Sequence, residues 1–183
     1  QKAIEIQLNY AIAHNNLGIV LRELGDYKKA ISSYEKAIQI NPDYANAHNN
    51  LGLAFQKLGE LQKAKSCYQK AIEIQLNYAI AHNNLGIVLG ELGEYKKARS
   101  CYEKAIQINP NYVDAHNNLG VAFKELGELQ KAIACYEKAL KLKPDSVNAQ
   151  ANISNIYNSQ LDNLEKATSE SYKTLKMHHE TSK

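Results

Sequence analysis

The sequence predicts an all-α fold, a solenoid of tandem helix pairs, on three observations. The string His14-Asn15-Asn16-Leu17-Gly18 returns as His48 to Gly52, His82 to Gly86 and His116 to Gly120, each copy 34 residues after the last. A fixed period of this size means stacked copies of one small unit, each burying its apolar face on its neighbours. Within a copy, apolar residues fall at helical spacing in two stretches. A glycine follows the first stretch in every full copy and Asn-Pro the second in two of the four, and both are helix-ending signals.

Taken in order, residues 1–10 read QKAIEIQLNY, as do residues 69–78, so the chain opens in the second half of a unit. The register predicts one solenoid over 1–183, with a partial repeat at 1–10, full repeats at 11–44, 45–78, 79–112 and 113–146, and a degenerate terminal repeat at 147–180. Opening in mid-unit predicts a slice of a longer protein.

In the first full unit, Ala13, Leu17, Leu21 and Leu24 share one face of a first helix. Gly25 stops it and Asp26 is placed to cap the second helix. Tyr27, Ala30, Ile31, Tyr34, Ala37, Ile38 and Ile40 form the apolar stripe of that second helix, which Asn41-Pro42 ends. Gly18, Ala30 and Ala37 recur in every full unit, where helices must approach closely. A mid-helix glycine costs about 1 kcal/mol relative to alanine, so its return implies close packing that offsets the cost. Tyr34, Tyr68, Tyr102 and Tyr136 fill the next gap along.

The last unit departs from this. Gln150-Ala151-Asn152-Ile153-Ser154 keeps the frame without the histidine or glycine. The sequence predicts a turn at Leu161-Asp162-Asn163-Leu164, then a second helix made polar by Thr168, Ser169, Glu170 and Ser171, as a solenoid's end cap should be. A frayed tail is expected over His178-His179-Glu180-Thr181-Ser182-Lys183.

Leu-Gly in the first helix, Ala, Tyr and Ala in the second and a closing Asn-Pro, at a period of 34, closely resemble the tetratricopeptide repeat. That resemblance spans nearly the whole chain. It implies a right-handed superhelix of antiparallel helix pairs, first helices lining a concave groove and second helices outside. Two departures stand out. The usual aromatic early in the first helix is replaced by His14, His48, His82 and His116, and the proline is missing at Leu8 and Leu76. A longer period also exists: residues 1–34 and 69–102 differ only at Arg22/Gly90, Asp26/Glu94, Ile31/Arg99 and Ser33/Cys101.

Composition bounds the function. A net charge of +3 and 44% hydrophobic residues fit a folded chain and exclude a disordered acidic one. The charge gives no argument for nucleic acid, and Lys28-Lys29 and Lys96-Lys97 fall on the outer helices. No apolar run approaches the ~20 residues of a membrane span. Cys67, Cys101 and Cys135 hold one place in three successive units, too far apart for the ~7 Å limit of a disulfide. They read as free thiols in a reducing compartment, the cytoplasm. A nucleophile would not return three times in register, so no enzyme, cofactor or metal is expected. The histidines lack a partner at i+3 or i+4, unlike helical zinc pairs, and are expected to be half-buried and hydrogen-bonded between units.

The concave face carries the functional expectation. Asn16, Asn50, Asn84, Asn118 and Asn152 form one column, flanked by Asn15, Asn49, Asn83 and Asn117, beside an aliphatic column of Ile19, Leu53, Ile87 and Val121. A side-chain amide both donates and accepts, so a ladder of them can hold a peptide backbone whatever its side chains. The competing reading gives the asparagines to neighbouring helices. Asparagine is a mediocre helix former, so paired asparagines in successive helices point to selection. The column resembles the repeat arm of O-linked N-acetylglucosamine transferases, which implies a grip on extended polypeptide. It lacks the carboxylate clamp of chaperone-binding repeats, since Asn15 and Ile19 stand where that clamp has lysine and asparagine. Three readings follow. The first is a non-enzymatic scaffold binding an extended protein segment. The second is the substrate-recruiting arm of a larger enzyme such as a glycosyltransferase. The third is a homo-oligomer built head to tail through apolar Ile4, Ile6 and Leu8.

Overall fold

Our computed structural model describes residues 2–181, with the side chains of residues 8–165, Thr168 and Ser171. Among these the chain forms α1 (Lys2–Glu23), α2 (Tyr27–Ile40), α3 (Ala45–Lys57), α4 (Leu61–Ile74), α5 (Ala79–Glu91), α6 (Tyr95–Ile108), α7 (Val113–Glu125), α8 (Leu129–Leu142) and α9 (Val147–Thr181), and no strand. The fold is the expected all-α solenoid. Each odd-numbered helix from α1 to α7 packs against the even one after it, and each even one against the next odd one. The backbones of successive odd helices also approach closely, whereas those of successive even helices do not. Hairpins that are close on one side and apart on the other curve toward the close side. The odd helices therefore line the inner face.

Local chemistry explains the elements. Asp26 accepts from the Lys29 backbone N–H at 3.2 Å and caps α2. Gly127 adopts φ +78° in the α7–α8 turn, a left-handed conformation that costs residues with a Cβ. Tyr34, Tyr68, Tyr102 and Tyr136 are buried, as are the alanines around them. One apolar core, from Ala30 to Ile156, runs the length of the stack.

Three expectations give way. The first concerns α1. Residues 1–21 repeat as 69–89, yet the second copy turns at Gln75–Tyr78 while Gln7–Tyr10 stay inside α1. Neither copy has a proline there, so the segment is free to be helix or turn. In the second copy the helix before the turn packs against α3, and among the described residues no helix precedes α1. For the same reason Ala13, Leu17 and Leu24 are exposed, although Ala47 and Leu51 at equivalent places are buried by α2. The second concerns α9, which runs unbroken through Leu161–Leu164, with no turn and no second helix. Leu161 stands 34 residues after Gly127, so the left-handed residue that closes the other turns is missing. The third concerns the tail, which is helical to Thr181. Ser182 and Lys183 lie outside the described residues, as do the side chains of Ile4, Ile6, Ser169 and Glu170.

Candidate functional site

The inner face is organised by its asparagines. Asn50 Nδ2 donates to Asn15 Oδ1 at 2.9 Å. Asn84 donates to Asn49 at 3.0 Å, Asn118 to Asn83 at 3.0 Å and Asn152 to Asn117 at 3.1 Å. These four bonds are rungs tying each odd helix to the next. Each joins residues 35 apart because the period is 34 and the columns are one residue apart. The rungs split the two columns by role. Asn15, Asn49 and Asn83 are 3–4% exposed, with their carbonyl oxygens taken by the next helix. Of the residues expected as ligand contacts, these three are thus buried rung acceptors, and Asn117, half-buried, anchors its rung in the same way.

The outer column keeps free capacity. Asn50, Asn118 and Asn152 are half-buried, Asn84 is 8% exposed and Asn16 is exposed. Each of the first four spends one N–H on its rung. Its Oδ1 and second N–H have no partner among the described residues. Asn16 makes no rung and has only a 3.5 Å contact from Asn15.

The aliphatic column is half-buried: Ile19, Leu53, Ile87 and Val121 lean on the core. Ile87, Val121 and Asn118 meet in a cleft of about 330 Å³ between α5 and α7, which Tyr95, Ala98 and Tyr102 of α6 also line. At its edge Glu91 accepts from Gln56 Nε2 at 2.7 Å. Sequence reasoning missed the cleft, although its signal, Gly90 in place of Arg22, was visible.

From within α3, α5 and α7, His48, His82 and His116 bond back to the connections before their own helices. The ring Nε2 of His48 donates to the Pro42 carbonyl at 2.9 Å, that of His82 to Leu76 at 3.1 Å and that of His116 to Pro110 at 2.9 Å. Gln150 Nε2 makes the same bond to Pro144 at 3.2 Å. Each bond satisfies a carbonyl left over where the preceding helix ends. Burial pushes the His82 pKa below its ordinary value, the Leu76 bond opposes this and the Lys104 charge adds to it.

The thiols of Cys67, Cys101 and Cys135 are unpaired, and burial pushes each up to about 11. At neutral pH they are protonated, the unreactive form. Among the outer lysines, Lys29 pairs with Asp26 at 2.7 Å and Lys97 with Glu94 at 2.5 Å. Lys65 reaches Glu94 across α4 and α6 at 2.9 Å. No helix among the described residues is long and apolar enough to cross a membrane.

Comparison with known proteins places this geometry among relatives. Tetratricopeptide-repeat models match residues 43–111 and 77–145, and a second repeat model of the same kind matches residues 20–59. No curated protein matches the chain. Among solved structures, a crystal structure of MamA is 31% identical, covering 78% of this chain and 84% of that one, with a TM-score of 0.69. PilF of Pseudomonas aeruginosa is 25% identical over 85% of this chain and 71% of its own, with a TM-score of 0.79. The first repeat domain of Spaghetti (RPAP3), bound to the HSP90 peptide SRMEEVD, shares the fold at 24% identity, covering 64% of this chain and 93% of that one, with a TM-score of 0.62.

Proposed function

Since the chain belongs to the tetratricopeptide repeat family, we propose that it is a protein-interaction scaffold whose inner face holds an extended polypeptide by its backbone. One observation supports this most. The rungs leave a free Oδ1 and a free N–H on each of Asn50, Asn84, Asn118 and Asn152, in one line along the odd helices. An extended peptide presents alternating carbonyls and N–H groups, and each of these amides can meet either one. The rungs also fix the amides in place before a guest arrives, which lowers the ordering cost of binding. Ile19, Leu53, Ile87 and Val121 add apolar contacts beside the line. A repeat domain of the same fold is known with a peptide bound. The protonated thiols fit binding better than covalent chemistry. Within a longer protein the same groove would serve as a substrate-recruiting arm.

The test is capture of an extended peptide by the native chain and by the triple variant Asn50→Ala, Asn84→Ala, Asn118→Ala. Capture drops sharply in the variant while circular dichroism still reports helix. Undiminished capture would leave the rungs a purely structural device.

A second reading, end-to-end assembly, has its own support. Leu17, Val20 and Leu24 on α1 are 49%, 52% and 76% exposed, an apolar face open to another molecule. Sedimentation across a concentration series tests it, since a mass that never rises above one chain removes it.

A further inference from the structure

The cleft at Gly90 differs from the equivalent places in the neighbouring repeats. Tyr68 Oη donates to Gln56 Oε1 at 3.1 Å, and Gln56 stands 34 residues before Gly90. Tyr34 and Tyr136 bury their hydroxyls with no partner, in units that carry Arg22 and Lys124 at this place. Gly90 has no side chain to offer. Its neighbour Tyr102 is 5% exposed, and its Oη lies 4.0 Å from where a Gly90 Cβ would be, opening onto the cleft. Among the described residues that hydroxyl has no hydrogen-bond partner. Unlike the sealed hydroxyls of Tyr34 and Tyr136, it is not closed off from solvent, so a guest group can reach it.

The other polar groups of the cleft share one character. Asn118 lines the cleft, has spent an N–H on Asn83 and keeps its Oδ1 without a partner among the described residues. Glu91 and Glu125 bring two carboxylates, one already holding Gln56 and the other beside Lys124 at 3.4 Å on the exposed rim. The floor, Ile87, Ala98 and Val121, is apolar. The cleft therefore offers acceptors and negative charge above a greasy base, in a volume of about 330 Å³.

We propose that this cleft is a specificity pocket for one arginine side chain of the groove-bound segment. The inference rests on the groove reading above. Arginine's aliphatic stem lies along Ile87 and Val121, and its guanidinium brings several donors in a fixed fork. Those donors reach Tyr102 Oη, Asn118 Oδ1 and the Glu91 carboxylate. Lysine offers the charge on a single point and meets fewer of these acceptors at once. The backbone ladder sets affinity, and the Gly90 cleft sets register by fixing where along the guest the arginine must fall.

The test uses fluorescein-labelled peptides of alanine and serine, identical except for a central arginine, norleucine or glutamate. The native chain binds the arginine peptide about tenfold tighter than the norleucine one, the size of a hydrogen bond to a charged group. Gly90→Gln fills the cleft and partners Tyr102 as Gln56 partners Tyr68, so it removes this preference and the arginine and norleucine peptides then bind alike. Glu91→Gln keeps an oxygen to accept the Gln56 bond while removing the charge, and it reduces the preference independently. Equal binding of arginine and norleucine peptides, a preference for glutamate, or an arginine preference that survives Gly90→Gln overturns the pocket and leaves the groove standing. Binding of none of the three peptides overturns both.

Discussion

The ring of Tyr102 fills the space a side chain at Gly86 would need. A Cβ built on Gly86 would meet Tyr102 Cε1 at 2.5 Å, and the same relation holds for Gly18 with Tyr34, Gly52 with Tyr68 and Gly120 with Tyr136. The glycine is thus a hole into which the next helix inserts its tyrosine. Gly86→Ala gains about 1 kcal/mol of helix propensity but must displace a buried ring, at about 1–3 kcal/mol. The net effect is destabilisation by up to about 2 kcal/mol, seen as a lower urea midpoint. Gly90→Ala is the control on the same helix. Its nearest obstacle is 4.0 Å away, so it raises stability by up to about 1 kcal/mol. Equal effects at the two sites would contradict the packing.

The rungs predict an asymmetry between the asparagine columns. Asn49→Ala removes the acceptor for Asn84, which is itself 8% exposed, and leaves a buried amide unsatisfied at a cost of about 1–3 kcal/mol. Asn16→Ala, exposed and outside any rung, stays within about 0.5 kcal/mol. A double-mutant cycle on Asn49 and Asn84 returns a coupling of about 1 kcal/mol. A coupling near zero would mean the rung contributes nothing.

The repeat made most of this fold legible in the sequence. Stacking turns a recurring letter into a recurring position, so the asparagine columns and the Gly–Tyr contact follow from the period. Its limits are physical. Residues 1–21 and 69–89 are the same string, so nothing local distinguishes the helix of Gln7–Tyr10 from the turn of Gln75–Tyr78; the difference is the neighbour each copy packs on. The split of the asparagines into rung acceptors and rung donors was not legible either. Both columns lie on one helical face, and only the lateral offset between units decides which amide the next helix takes.

Acid weakens the stack through His82. Burial holds its folded pKa below the unfolded value of about 6.5. The unfolded chain therefore binds the proton more readily, and the stability of the neutral ring is present above that value and lost as pH falls below it. Asp26, Glu94 and Glu128 are held low by Lys29, Lys97 and Lys131, so their contribution goes only at more acid pH. The melting temperature falls between pH 7.5 and 5.5, and His82→Gln flattens part of that fall. Glutamine can take the bond, since Gln150 makes it to Pro144. A pH profile unchanged by His82→Gln would remove His82 as the cause.

Beyond Ile156 the described side chains of α9 stand clear of the stack. Ala149 and Ile156 are buried, but Tyr157, Leu161 and Leu164 are 52–62% exposed, and among the described residues no helix covers them. A helix without tertiary contacts is marginal in water. Leu161→Pro therefore reduces helical ellipticity yet leaves the cooperative melt within about 0.5 kcal/mol of the native one. Ala122→Pro, inside α7 and 2% exposed, costs about 3 kcal/mol or more. Hydrogen exchange draws the same boundary, with slow amides up to Ile156 and fast ones after it. Slow exchange at Leu161 would mean that something covers this face of α9 in solution, and an end-to-end partner would then be the first candidate.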